Sequence, residues 1–375
     1  TLELRSGTLS ASITNNGTLT ITGTDGRVEN GVTNNGTLSI QGGTFKSGRE
    51  SSDATTNIYL EEVYAHLADG YYFVSCSGNY YFTVGEGERV ATIEDGDFTL
   101  DVGSVAVAIN YVTNVAKSAN VTVTLLQDDS LQASTTIGSV SQSYATNVTF
   151  DLGGNTLSTG YLLSVYSSDK TSSFYVTITN GVLALSYADD STARVAISAT
   201  YQANLTLSDL SVVYSGGHSY DNLINAGNSY GSASSVSTIN FVNANVSVAD
   251  GAAVPTNMVM VYNSSTATFD GGNYFGAISA AEGASITIAE GSTFGADVEE
   301  FLAKGLTQND AGTVVNANYE TAVAMIETET GIVYYDTLQA AIDAADSGAT
   351  VTLLKDLTES VTVAEGQEIV LDLNG

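Results

Sequence analysis

The chain of 375 residues has no tryptophan, one proline, one cysteine and two histidines. Each scarcity excludes something. The single Cys76 forms no internal disulfide, so stability has to come from packing. Two histidines and one cysteine are too few for a metal site of the Cys/His type. One proline against 37 glycines argues for many tight turns and few stiff linkers. Basic residues are scarce too: 10 Lys and Arg face 41 Asp and Glu, for a net charge of −31. Such a surface repels phosphate backbones and anionic membranes, which argues against nucleic acid as a partner. No run approaches the roughly 18 consecutive apolar residues of a membrane helix, so no membrane insertion is expected.

What is present is repetition. "ITNNGTLTITG" begins at Ile13 and "VTNNGTLSIQG" at Val32, 19 positions later. A strand-turn unit of that size has no core of its own, so consecutive copies must bury their apolar side chains against one another. Looser copies follow: "NVTFDLGGNTL" from Asn147, "YVTITNGVLAL" from Tyr175, "ANLTLSDLSVV" from Ala203 and "STINFVNANVSV" from Ser237. "TATFDGGNYFG" from Thr266 and "ASITIAEGSTFG" from Ala284 complete the series. Each alternates polar and apolar residues, the period of a half-buried strand, then bends at Asn, Asp or Gly. With Phe150, Ile178, Leu207, Phe241, Phe269 and Ile288 as equivalent inward positions, the spacings are 28, 29, 34, 28 and 19. Hairpins would recur at shorter, paired intervals; one strand per coil of a parallel solenoid fits better. The widest gap holds the Gly- and Ser-rich residues 215–235, expected to project from one corner as a loop.

A longer repeat overlies the first. "ANVTVTLLQDDS" from Ala119 matches "GATVTLLKDLTE" from Gly348, with Leu125 and Leu353 offset by 228. Each is followed by an "FDLGG" or "LDLNG" string and preceded by a short helical pattern, "SVAVAINYVTNV" or "TLQAAIDAAD". The chain therefore divides into the end of one module at 1–94, a complete module at 95–327 and the start of a third at 328–375. Both ends fall inside repeats, so the sequence reads as an interior piece of something longer.

The catalytic inventory is thin. His66 lies in "YLEEVYAHLADG" with no partner in view, and Cys76 and the serines lack the neighbours that activate a nucleophile. The acidic pairs at 94–97, 128–129 and 189–190 lack calcium-loop spacing, and a solvated turn explains each. No cofactor is expected, weak Ca²⁺ binding aside. A polysaccharide hydrolase needs paired carboxylates. Asp151 and Asp270 share their repeat position with Thr179 and Ser208, which is the mark of a turn preference. The tyrosines are the remaining lead, since aromatic faces with Asn, Asp and Ser at their edges suit sugars. Corner insertions vary without disturbing a stack, so ligand contact is expected at His218, Tyr220, Asp221 and Tyr230, with Tyr262 and Tyr274 from neighbouring units.

The "NNGTLTI…GGTF" units, the "LADGYYF" string and the stretch from "TLQAAIDAAD" to "LDLNG" resemble the pectin-lyase-like β-helix modules of large secreted surface proteins of Gram-positive anaerobes. The resemblance implies an all-β fold, a right-handed parallel β-helix in tandem modules, with short helices capping the junctions. It carries no catalytic motif that transfers to numbered positions. The function expected is a non-enzymatic extracellular stalk or adhesin at the bacterial cell surface. Its partners would be neighbouring modules and a neutral glycan or host protein. A self-assembling filament or sheath subunit is the alternative, and a polysaccharide-acting enzyme the second.

Overall fold

The computed structural model describes residues 6–10, 13–23, 25–28, 32–46, 60–78, 81–139, 145–167, 173–187, 195–217, 221–228, 236–317, 321–328 and 331–374. It is mostly β, with long sheets in which parallel pairing dominates. Residues 1–287 form one compact unit and residues 288–375 a second.

In the first unit the main ladder runs through strands Asn120–Leu125, Asn147–Asp151, Phe174–Leu185, Ala203–Tyr214, Thr238–Val242 and Thr266–Asp270. All pair in parallel without slip, so Val123, Phe150, Ile178, Leu207, Phe241 and Phe269 stand in one column. Each is at most 3% exposed. Alternation forces this register, because a slip of one residue would turn every apolar side chain to solvent. The Phe241 and Phe269 rings stack at 4.7 Å, 1° from coplanar. Strands Phe174–Leu185 and Ala203–Tyr214 bend at Asn180 (φ 58°) and Asp209 (φ 47°), and each half pairs with a separate shorter strand of a neighbouring repeat. Asn and Asp tolerate this left-handed backbone better than other residues with a Cβ.

A second parallel sheet takes one strand from each repeat: Thr135–Ser139, Leu163–Ser167, Ile197–Thr200, Asn222–Ala226, Asn257–Val261 and Ile278–Ala280. The two "NNG" copies pair likewise, Ile13 with Val32 and Thr18 with Thr37. Asn15 Nδ2 donates to Asn34 Oδ1 at 2.7 Å, while Asn15 Oδ1 accepts from Gly17 N–H at 3.1 Å. Asn35 Nδ2 donates to Asn16 Oδ1 at 3.0 Å. The repeated asparagines thus close their own turn and bond the next one, which is why both copies keep them.

Parallel pairing is not uniform. Tyr71–Ser77 and Gly43–Lys46 both lie antiparallel to Tyr81–Glu86, and Ala91–Asp95 lies antiparallel to Phe98–Val102 and Asn120–Leu125. The two pairing modes share a side-chain period of two, so alternation cannot tell them apart.

Three short α-helices occur among the described residues, α1 (Leu60–Tyr64), α2 (Val105–Asn114) and α3 (Leu338–Ala344), besides a single 3-10 turn at Glu299–Phe301. The Ser104 hydroxyl caps α2 by accepting from Val107 N–H, and Thr337 caps α3 by accepting from Ala340 N–H. In each case a carboxylate further along the chain accepts the first helical N–H: Asp129 Oδ2 from Val105 at 2.7 Å, Glu359 Oε1 from Leu338 at 3.0 Å. Val105, Ala108 and Ile109 are buried on α2, as are Leu338, Ala341 and Ile342 on α3. This i, i+3, i+4 face is the one the sequence pattern proposes. The expected module boundaries near 95 and 328 fall within equivalent hairpins, Ala91–Asp95 with Phe98–Val102 and Ala324–Thr328 with Gly331–Tyr335. In the second unit Ala324, Ile326 and Val351 join the α3 face in one core, and Thr350–Leu353 pairs in parallel with Val370–Asp372.

Candidate functional site

Residues 215–235 do not form one projecting loop. Strand Asn222–Ala226 runs through the middle of the segment as a member of the second sheet, with Leu223 and Ile224 fully buried. The error has a simple source: "NLINA" is short, carries two asparagines and is flanked by Gly and Ser. The strand therefore divides the insertion into a part before it and a part after it. His218, Tyr220 and Tyr230 lie outside the described residues.

Asp221 is exposed immediately before the strand, and its carbonyl accepts from Asn257 N–H at 3.0 Å. Tyr262 is half-buried, and its hydroxyl accepts from Asn222 Nδ2 at 3.0 Å. Asn222 Oδ1 accepts from Asn257 Nδ2 at 2.8 Å, and Asn257 Oδ1 from the Ser279 hydroxyl at 2.8 Å. Asp221 and Tyr262 thus share one neighbourhood, tied by an Asn222–Asn257–Ser279 chain that the sequence reading missed. Its signal was available: Asn222 and Asn257 both open the buried strand of their repeat. On the same strand, Asn225 Oδ1 is buried with no hydrogen-bond partner among the described residues.

Tyr274 does not belong to this neighbourhood: against the expectation of a ligand contact, it is a buried core residue. Its side chain is 2% exposed, edge-on to Phe241 at 5.7 Å and to Phe269 at 4.9 Å. Its hydroxyl donates to the Gly271 carbonyl at 2.7 Å. Burial, with the Asp270 charge beside it, pushes the phenol well above the usual tyrosine range, so it stays neutral. Pairing with buried Val246 sets its inward direction.

Several acidic groups serve the backbone. Asp95, 5% exposed, accepts from Tyr111 Oη at 2.9 Å and from Lys117 and Ser118 N–H at 2.7 Å. Asp128 accepts from Thr156 N–H at 2.8 Å. Asp189 and Asp190 lie outside the described residues. Asp151 and Asp270 share a column through Thr179, Ser208 and Val242. Four strand spacings separate them by about 19 Å, beyond the roughly 5–9.5 Å of a glycosidase pair. Among the described residues no group of three or more His, Cys, Asp and Glu is placed to hold a metal ion. Cys76 is half-buried, and burial pushes its thiol up. No described helix is long and apolar enough to cross a membrane. Comparison of the chain with protein-family models, curated proteins and solved structures finds no match.

Proposed function

We propose that the chain is a non-enzymatic segment of an extracellular bacterial surface protein, a stalk and adhesin built from modules of right-handed parallel β-helix. One observation carries the reading: the column from Val123 to Phe269, in which strands 27 to 34 residues apart pair in parallel without slip. Each interval also holds a strand of the second sheet, as expected of a coil that returns to its starting side. Such a stack satisfies its backbone through its neighbours and lengthens by repetition, which suits a spacer. Recognition is assigned to the corners flanking Asn222–Ala226, with Asp221 and Tyr262 as described members and His218, Tyr220 and Tyr230 as further ones. The scarcity of Lys and Arg favours a neutral glycan or a host protein over an acidic polysaccharide.

The test spares the buried strand. Residues 229–235 are replaced by a short Gly-Ser turn, combined with Asp221→Ala and Tyr262→Ala. A modest drop in melting temperature, from the lost Asn222–Tyr262 hydrogen bond, with the fold kept and attachment to glycan-coated or cell-coated surfaces lost, is expected. Attachment equal to the parent contradicts the assignment.

The filament reading shares this architecture, since a stack that lengthens by repetition can also add a second copy through a head-to-tail interface. Sedimentation decides: a stalk segment keeps one mass at all concentrations, whereas a filament subunit grows.

A further inference from the structure

On the outward side of the main ladder, register aligns polar side chains as firmly as it aligns apolar ones inside. Thr122, Thr149, Thr177, Thr206, Asn240 and Thr268 form one outward column across six strands. They recur every 4.8 Å or so, the spacing of adjacent strands. In the neighbouring column Tyr175 stands between Asn147 and Asn204. Its ring is 48% exposed.

Across these six strands neither column contains a charged residue, although the chain carries a net charge of −31; the one carboxylate in register with them is Glu94, at the end of the first column beyond Thr122. Asp151 and Asp270 stand one column further on. Polar satisfaction is uneven along the row. Thr268 Oγ1 donates to Asn240 Oδ1 at 2.7 Å, and Asn240 Nδ2 donates to Thr206 Oγ1 at 3.3 Å. The hydroxyls of Thr177, on the strand of Tyr175, and of Thr149 and Thr122, on the two strands before it, have no protein partner among the described residues.

We infer that this face is a binding surface for a neutral, extended polysaccharide, laid across the strands along the threonine column with a sugar ring stacked on Tyr175. A face with no basic residue and few carboxylates suits a neutral polymer: anions meet the overall field, and in the two columns cations find only Glu94, at one end. An aromatic face beside hydroxyl and amide groups is the mixture that grips a sugar, apolar on its C–H face and polar at its rim. An extended β-linked glycan advances by a ring over a distance comparable to the strand spacing, so successive rings meet successive threonines. The surface lies on the main ladder, so the inference stands apart from the corner assignment.

The probes are a soluble neutral β-1,4-glucan and polygalacturonate, each cast into a native gel, with Tyr175→Ala, Tyr175→Phe and Thr149→Val/Thr177→Val compared with the parent. The neutral glucan should retard the parent and leave it unaffected by moderate salt, while polygalacturonate leaves it unretarded. Tyr175→Ala should weaken retardation about tenfold, the loss of one stacking contact, with Tyr175→Phe close to the parent. The double valine variant, which keeps side-chain shape, should lose several-fold. The form shortened at residues 229–235 should bind as the parent does. Equal retardation of Tyr175→Ala, preference for polygalacturonate, or no retardation at all overturns the inference. So does sedimentation showing a parent dimer that Tyr175→Ala dissolves, since the face would then be an interface between copies.

Discussion

Tyr274 shows how much a single inward side chain is asked to do. Its ring wedges against the stacked Phe241 and Phe269, and its hydroxyl reaches back to Gly271. Because burial raises its phenol, the folded protein holds that proton more tightly than the unfolded chain. Below about pH 10 both states carry the proton and the group is neutral in the balance. Above it the unfolded state ionises first, so stability falls as pH rises. Tyr274→Phe should cost about 1 kcal/mol at neutral pH through the lost hydrogen bond. The same variant should show a shallower alkaline decline than the parent when urea unfolding is compared at pH 8 and pH 11. Parallel declines would mean that Tyr274 ionises as readily folded as unfolded. In the sequence this tyrosine looked like a sugar contact, because "GGNYF" places it beside turn residues. Only its pairing with Val246 reveals the inward direction.

Elements repeat their reasons as well as their residues. The inward column is readable from alternation alone, since one face must be apolar and its members recur at one spacing. The helix faces on α2 and α3 are readable for the same reason, with Ser104 and Thr337 as conspicuous caps. The carboxylates that complete those caps, Asp129 and Glu359, come from about twenty residues downstream, and no local pattern announces them. The antiparallel strands between residues 43 and 102 escape for another reason: their alternation matches that of parallel strands. Strand Asn222–Ala226 escapes because its flanks dominate its composition. The paired turns also predict an asymmetry between identical residues. A Cβ on Gly17 meets open space, whereas one on Gly36 falls on the Gly17 carbonyl, the acceptor for Thr37 N–H. Gly36→Ala should destabilise by about 2 kcal/mol through forced separation of the stacked turns. Gly17→Ala should be neutral or stabilise by about 0.5 kcal/mol through the unfolded chain. Thermal unfolding of the two variants side by side checks this, and equal effects would contradict the stacking described for these turns.

At the scale of the whole molecule, every repeat between residues 120 and 280 feeds two sheets: the main one through a bent strand or a pair of short strands, the second through a single strand. Their buried positions are mainly Phe, Ile, Leu and Val, and the positions alternating with them in the main ladder are mostly polar. Corners and outward columns are then the places where chemistry can vary without cost to the ladder. The proposal that follows is recognition without turnover, and it separates this chain from an enzyme of the same general architecture. The most direct measurement places the protein with a panel of neutral polysaccharides and follows retention on the polymer and release of new reducing ends over the same hours. The account predicts retention that strengthens when several copies are linked in tandem, with reducing ends no higher than in the protein-free control. A steady release of reducing ends above that control would contradict it.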